Sequence, residues 1–473
     1  MQDVQTSSKR MLGRLFGLIL AKLLSPLASF LVIVLIARIW GRNSLGQYNT
    51  VLAWYAIFQF VTVFGMTEYI SREVGKDHRT AAKYLSHGLL FGLFSSLICV
   101  GLMAGGAILL NYPKELKHGI MVAGLVLPFS AWILMCQSIF TAFQKIKYIA
   151  LTSLVEAFFV FVFATVVIFK QYGVIALIWS LVIAKALSSA FNLFVVHRGI
   201  TRVHFQFDGG FLLKLLPPVV VFGLTSVAFQ IFMRVDVIML SRMKDMATVG
   251  LYSSASKLTE ICLMFPLAFY VLNLPIAAKG YKSFPGTVHH KLQSYTRELF
   301  ILVFFVFGFG TLFSKEILEL IYGKPFLGAL WPLRILLLAY LIQCADMVLG
   351  MSCQAAGYHK FAMVTAVIRA VSNIGLNFIF ILVWGMYGAA LATLISISLS
   401  FVIFQSFVIK KLHGFDWVHI IVKPALVCLF TIFLLFSLAN YTNLFFQAMV
   451  YLFGYCGILL ALNRLASVRA KRA

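Results

Sequence analysis

Residues 32–48 read Val32-Ile33-Val34-Leu35-Ile36-Ala37-Arg38-Ile39-Trp40-Gly41-Arg42-Asn43-Ser44-Leu45-Gly46-Gln47-Tyr48. Residues 237–252 read Val237-Ile238-Met239-Leu240-Ser241-Arg242-Met243-Lys244-Asp245-Met246-Ala247-Thr248-Val249-Gly250-Leu251-Tyr252. Arg38, Gly46 and Tyr48 return as Arg242, Gly250 and Tyr252, each 204 positions later. Both stretches close an apolar run long enough to cross a bilayer, which takes roughly 18–25 residues. A second series follows in order. Lys147-Tyr148 is echoed by Lys360-Phe361, 213 positions on, and Tyr172-Gly173 by Tyr387-Gly388. Ordered matches at near-constant spacing read as two homologous six-helix halves. Each half holds an even number of spans, so the halves share one topology, related by an axis along the membrane normal.

The rest of the chain fits that frame. Of its 473 residues, 62% are hydrophobic and 11% are charged, whereas a soluble domain carries roughly 25% charged residues. Apolar runs follow one another along its whole length, which excludes a soluble fold. The expected fold is an all-α polytopic membrane protein of about fourteen transmembrane helices, the first at 15–39 and the last two at 424–440 and 445–463. Two homologous six-helix lobes are expected around a central cavity, plus two extra C-terminal helices. The domain reading is an N-lobe at 1–200, a C-lobe at 201–412, and spans 13–14 with a basic tail at 413–473. Placing the N-terminus in the cytoplasm puts most loop Lys and Arg on the cytoplasmic side, so both termini are expected there. The net charge of +24 then reflects positive loops beside an anionic leaflet rather than a nucleic-acid partner. Membrane lipids are expected to meet the loop holding Lys279, Lys282, His289, His290 and Lys291. The seven cysteines lie in apolar spans without metal-ligand spacing, so no metal is expected. Met1–Arg14 is too polar for a signal peptide.

Six basic residues sit inside the apolar runs: Lys22, Lys185, Arg234, Lys257, Arg334 and Arg369. A cation at the bilayer centre costs ~2.5–3.5 kcal/mol on insertion scales, and such groups mostly face a bundle interior or a water-filled path. Arg234 and Lys257 lie at similar depth on consecutive spans, ~10–12 Å below the outer surface at 1.5 Å per residue. Lys22 and Arg369 form a second cationic layer toward the cytoplasm, and Pro26 is expected to kink the first span. These four are the expected cargo site, suited to an anionic headgroup. Arg334, four residues into its span, can snorkel outward. Lys185 reads equally as half of a structural ion pair or as a cargo contact, with Asp346 able to neutralise it. Glu156 lies 213 positions before Arg369, so the two occupy equivalent places in the halves and are expected to form a state-dependent gate. Asp236, Glu260 and Asp346 are the candidates for coupling to a proton or sodium gradient. No cofactor is expected. Phosphate-cradling glycine loops, HExxH and nucleophile elbows are missing from the sequence, and no external loop is long enough to carry a folded catalytic site, so a transporter is expected rather than an enzyme.

Several local patterns resemble one family. Ile36-Ala37-Arg38-x2-Gly41-x4-Gly46-x-Tyr48 closes the first span and Ser71-Arg72-Glu73 follows the second. Asp236-x2-Met239-Leu240, Val249-Gly250-Leu251-Tyr252, Pro275 and Tyr387-Gly388-Ala389-Ala390 continue the series. Over roughly residues 10–410 the chain resembles the polysaccharide-biosynthesis, O-antigen (Wzx-type) flippases of the multidrug/oligosaccharidyl-lipid/polysaccharide exporter superfamily. The resemblance implies a two-lobed bundle in the bacterial inner membrane. It implies that an undecaprenyl-pyrophosphate-linked oligosaccharide, an O-antigen or exopolysaccharide repeat unit, moves from the cytoplasmic to the periplasmic leaflet by alternating access. Polysaccharide polymerase and chain-length proteins are the partners it implies. The family has no strict motif for the pyrophosphate site, so Lys22, Arg234, Lys257 and Arg369 rest on the depth argument. Other branches remain as alternatives. The Asp-Ala-Phe run of the peptidoglycan-precursor flippases does not follow span 1, and the early acids of the drug/cation antiporters are replaced by Lys22. A membrane polysaccharide polymerase or ligase would need a large external loop that this chain lacks.

Overall fold

The computed structural model describes the backbone of residues 2–202, 208–283, 285–412, 414–438, 447, 449–455 and 457. Side chains are described within 26–202, 208–211, 219–281, 291–412 and 414–433, with a few beyond. The described chain is helical from end to end, with sixteen α-helices and two short 3-10 segments joined by tight turns. In order these are α1 (Gln2–Val63), α2 (Met66–Lys76), α3 (Ala81–Leu109), α4 (Lys114–Gly124), α5 (Val126–Ala142), α6 (Ile146–Phe169), α7 (Gly173–Gly199) and α8 (Gly209–Met243). There follow α9 (Met246–Cys262), α10 (Met264–Ser283), α11 (Pro285–Leu312), α12 (Ser314–Ile321), α13 (Leu330–Ala355), α14 (His359–Trp384), α15 (Met386–Leu412) and α16 (Trp417–Leu438). Among the described residues, 11 helical stretches are long and apolar enough to cross a membrane, and Trp417–Phe433 is a shorter apolar one. The first stretch, Pro26–Lys76, runs from within the first expected span at 15–39 past the second. Of the expected span at 445–463, residues 447, 449–455 and 457 are described, and the basic tail lies outside the described residues.

Three local expectations change. The polar stretch after the first span is no loop: α1 passes through it, broken only at Gly41, whose φ of 78° lies in the left-handed region. Glycine enters that region without a Cβ clash, so one residue redirects the chain between two membrane crossings. The break therefore falls at Gly41, while α1 runs on through Pro26. The stretch expected as a cytoplasmic loop around Lys279–Lys291 is helical on both sides, since α10 reaches Ser283 and α11 starts at Pro285.

The helix ends carry the repeat. α3 begins at Ala81 and α11 at Pro285, 204 positions apart. α5 ends at Ala142 and α13 at Ala355; α6 begins at Ile146 and α14 at His359; α7 spans Gly173–Gly199 and α15 spans Met386–Leu412. This second group differs by 213 throughout. Packing repeats as well, because α1 lies along α6 and α8 along α14. The closest helix approach obeys the same rule. A Cβ placed on Gly46 would sit 1.9 Å from the Met246 carbonyl oxygen, and one on Gly250 would sit 2.0 Å from the Arg42 carbonyl oxygen. Adding 204 turns 42 into 246 and 46 into 250. The contact is therefore reciprocal, as at a two-fold axis, and only glycine on both helices permits it.

Two compact units arise from the contacts: residues 1–257 with 359–392, and residues 258–358 with 393–473. Among the described residues of the first, two clusters of buried apolar side chains stand out. One gathers Met66, Ile70, Leu85, Met135 and Val196; the other gathers Trp54, Met103, Ile120, Val126 and Ile178. In the second, Tyr451 and Tyr455 pack with Phe313, Val427 and Cys428.

Candidate functional site

Lys22, Glu156, Arg234, Asp236, Lys257 and Arg369 fall in the first unit, and Glu260 and Asp346 in the second. Lys22 lies on α1, and its side chain is outside the described residues. Arg369, on α14, is 7% exposed. Its guanidinium carbon lies 4.6 Å from the Phe232 ring centre and 5.7 Å from that of Phe229, both on α8. Cation–π attraction of this kind strengthens where water is excluded. Asn373 and Asn377, one and two turns further along α14, are fully buried, and the Asn377 Nδ2 donates to the Asn373 Oδ1 at 3.0 Å. Arg369, Asn373 and Asn377 thus form one polar stripe on a helix packed against α8. Arg234 is half-buried on α8, two residues after Phe232, and Lys257 is half-buried on α9.

The acids are held by specific donors. Asp236 is buried on α8. Its Oδ1 accepts from the Val237 backbone N–H at 2.7 Å, and its Oδ2 accepts from the hydroxyl of Tyr252 on α9. Asp346, buried on α13, accepts from the Ser400 hydroxyl at 2.6 Å. Glu260 is half-buried on α9, close enough to the buried Tyr322 phenol to act on it electrostatically. Arg334 is held at its own helix end: its Nε donates to the Ser314 hydroxyl at 3.0 Å, and its guanidinium lies 5.4 Å from the Trp331 ring centre.

One expected pairing changes. The Glu156 carboxylate on α6 accepts from the Lys185 ammonium on α7 at 2.5 Å, with side chains 10% and 13% exposed. In this structure Glu156 therefore pairs with Lys185, and Glu156 is the acid that neutralises Lys185. The reason is local. α6 and α7 are antiparallel neighbours joined by a short turn, and the two residues lie equally far from it. Tyr55 of α1 is a second neighbour of the Lys185 ammonium, and its hydroxyl is 2.6 Å from that of Ser130 on α5. Tyr55 and Ser130 escape a reading of the sequence because nothing in their spacing marks them. Ser188, Ser189 and Asn192 share one face of α7 with Lys185, at intervals of three, four and seven residues, a pattern the sequence does carry. Among the described residues, no cluster of three or more His, Cys, Asp or Glu could hold a metal.

The chain has relatives among known proteins. It is 29% identical over 181 residues to the probable low-salt glycan biosynthesis flippase Agl15 of Haloferax volcanii. That match covers 38% of each chain, so it spans little more than a third of the relative's length. It is 25% identical over 304 residues to the uncharacterized membrane protein MJ1375 of Methanocaldococcus jannaschii, covering 61% of this chain and 70% of the relative. The fold is similar to that of the lipid II flippase MurJ in an inward closed conformation, with a TM-score of 0.80 at 18% identity over 95% of this chain and 99% of that one. An inward-facing multidrug resistance transporter of the MATE family and MOP superfamily gives 0.66 at 15% identity, over 83% and 98% of the two chains. Residues 14–279, more than half of the chain, match the model of the polysaccharide biosynthesis proteins, and the chain belongs to that family.

Proposed function

We propose that this protein is a flippase for a lipid-linked oligosaccharide, an O-antigen or exopolysaccharide repeat unit on undecaprenyl pyrophosphate. Cargo crosses from the cytoplasmic to the periplasmic leaflet of the bacterial inner membrane by alternating access, without a catalysed reaction, driven by a proton or sodium gradient. The family membership carries this reading, and the flippase name of the Haloferax relative supports it. The buried Arg369 is consistent with it chemically. A pyrophosphate brings about two negative charges that hydrocarbon excludes, and a desolvated guanidinium can meet them bidentately. Lys22, Arg234 and Lys257 complete the proposed set, with both termini in the cytoplasm and the polymerase and chain-length proteins downstream.

The test is surface glycan in a deletion strain complemented by single alanine variants of Lys22, Arg234, Lys257 and Arg369, with membrane insertion measured in parallel. Loss of glycan with normal insertion is expected. Normal glycan in all four variants refutes the site, and normal glycan in the deletion strain refutes the function.

A further inference from the structure

The Glu156–Lys185 pair stands at a boundary in polarity. Positions equally far from the α6–α7 turn lie at one level. On the side away from the turn, Ser153 is level with Ser188 and Thr152 with Ser189, and all four are buried. Asn192, one turn beyond, is also buried. On the side toward the turn, Ala157 is level with Ala184, Ala164 with Leu177, and Leu181 follows, all of them apolar and buried. The polar exceptions there are Ser180, whose hydroxyl donates to the Leu177 carbonyl at 2.8 Å, and Thr165, more than two turns past the pair. The seam between these helices is thus rich in polar groups from its Ile146/Gly199 end as far as the ion pair, and largely apolar beyond it.

Part of the polar half has no protein partner, although the Thr152 hydroxyl donates to the Tyr148 carbonyl at 2.8 Å, and beyond the pair the Thr165 hydroxyl is likewise buried without one. The Ser188 and Ser189 hydroxyls and the Asn192 Oδ1 are buried without a hydrogen-bond partner in the protein. Leaving such a group unmet is costly, and buried water is the usual remedy where several polar groups converge. A purely structural ion pair requires no such lining on one side. Ionisable groups inside a membrane often mark ion or proton paths.

We propose that Glu156–Lys185 is a proton-binding site, reached through a hydrated seam from the Ile146/Gly199 end alone. That end is the cytoplasmic one by loop charge. A proton arriving there forms an O–H bond on the Glu156 carboxylate, and the Lys185 ammonium keeps its own protons beside Tyr55. The net charge of the pair rises from zero to +1. A single uncompensated charge in a low-dielectric seam favours a rearrangement that hydrates it. The titratable groups gathered at the pair are Lys185 from α7 and Tyr55 from α1, with the Ser130 hydroxyl of α5 on Tyr55. This rests on the transporter reading and names its coupling ion and site.

The purified full chain in lipid nanodiscs tests it by infrared difference spectroscopy between neutral and strongly acidic pH. Within the protonated-carboxyl band, one component is expected to grow in the wild type, to be missing from Glu156→Gln and to persist in Glu260→Gln. In Ser189→Ala/Asn192→Leu the same component is expected to form at least tenfold more slowly after a pH jump. No component assignable to Glu156, or an unchanged rate in the seam variant, overturns the proposal. This measurement uses no glycan lipid, so its outcome is independent of whether the cargo has been named correctly. Glu156→Gln/Lys185→Gln, which removes both charges, is expected to keep its melting temperature and lose gradient-dependent glycan export. Full export by that variant also overturns the proposal.

Discussion

Gly46→Ala puts a methyl group where two backbones already touch. Its Cβ would lie 1.9 Å from the Met246 carbonyl oxygen and 3.0 Å from the Gly250 nitrogen. A carbon and an oxygen rest at roughly 3.2 Å, so α1 and α9 must part by ~1.3 Å, because backbone atoms cannot rotate aside. Overpacking of this kind costs about 1–3 kcal/mol, occasionally more. Against it stands the helix preference of alanine over glycine, at most ~1 kcal/mol. Because backbone meets backbone here, the clash sits at the upper end of that range, and a net loss of about 2 kcal/mol follows from the difference. Gly101→Ala on α3 is the control, since nothing lies within 4 Å of its Cβ, and it should leave stability unchanged or slightly raised. Thermal unfolding of the purified variants, followed by monodisperse elution after heating, reads both. Gly250→Ala meets the Arg42 carbonyl at the same crossing, so the double variant should lose less than the sum of the two singles. A Gly46→Ala protein melting at or above the wild type refutes the close crossing, and strict additivity refutes a shared one.

Two further outcomes rest on single hydrogen bonds. Tyr252→Phe removes the hydroxyl that donates to the buried Asp236 carboxylate, and losing a bond to a charged group costs ~1.5–3 kcal/mol; a lowered melting temperature is expected, and an unchanged one would show the bond to be dispensable. The Asp208 carboxylate is held below its usual range, first by the Phe211 backbone N–H and then by Lys83. Its folded pKa is depressed, so its stabilising contribution is present above the unfolded value of about 3.9 and fades as pH falls through the lower folded value. Melting curves of wild type and Asp208→Asn should therefore differ at neutral pH and converge in acid.

Helices are more legible in this sequence than their breaks. Apolar runs and a repeat carried by Arg38, Gly46 and Tyr48 are enough to place the spans, because burying a backbone in lipid demands unbroken helix. The bend at Gly41 reads as a loop, since Arg42, Asn43 and Ser44 are polar, yet polar residues at a membrane surface sit equally well on a helix. α12 escapes notice because eight residues with Lys315, Glu316 and Glu319 carry too little apolar length. Costly charges are easy to find and their partners are not. The repeat sets Glu156 against its equivalent, Arg369, whereas the nearer constraint is the α6–α7 hairpin that sets it level with Lys185.

The step in repeat spacing from 204 to 213 has a practical meaning. Nine extra residues enter between the start of α11 and the end of α13, a stretch that includes α12 and the bend at Gly323, where the Lys324 side chain is 83% exposed. Later boundaries keep an offset of 213 to 215, so most of the difference in length enters before the end of α13. A segment whose length already differs between the two halves tolerates insertion, and an exposed bend tolerates it best. The Gly323–Lys324 bend is therefore the natural place to graft an epitope tag or a fluorescent label onto this protein.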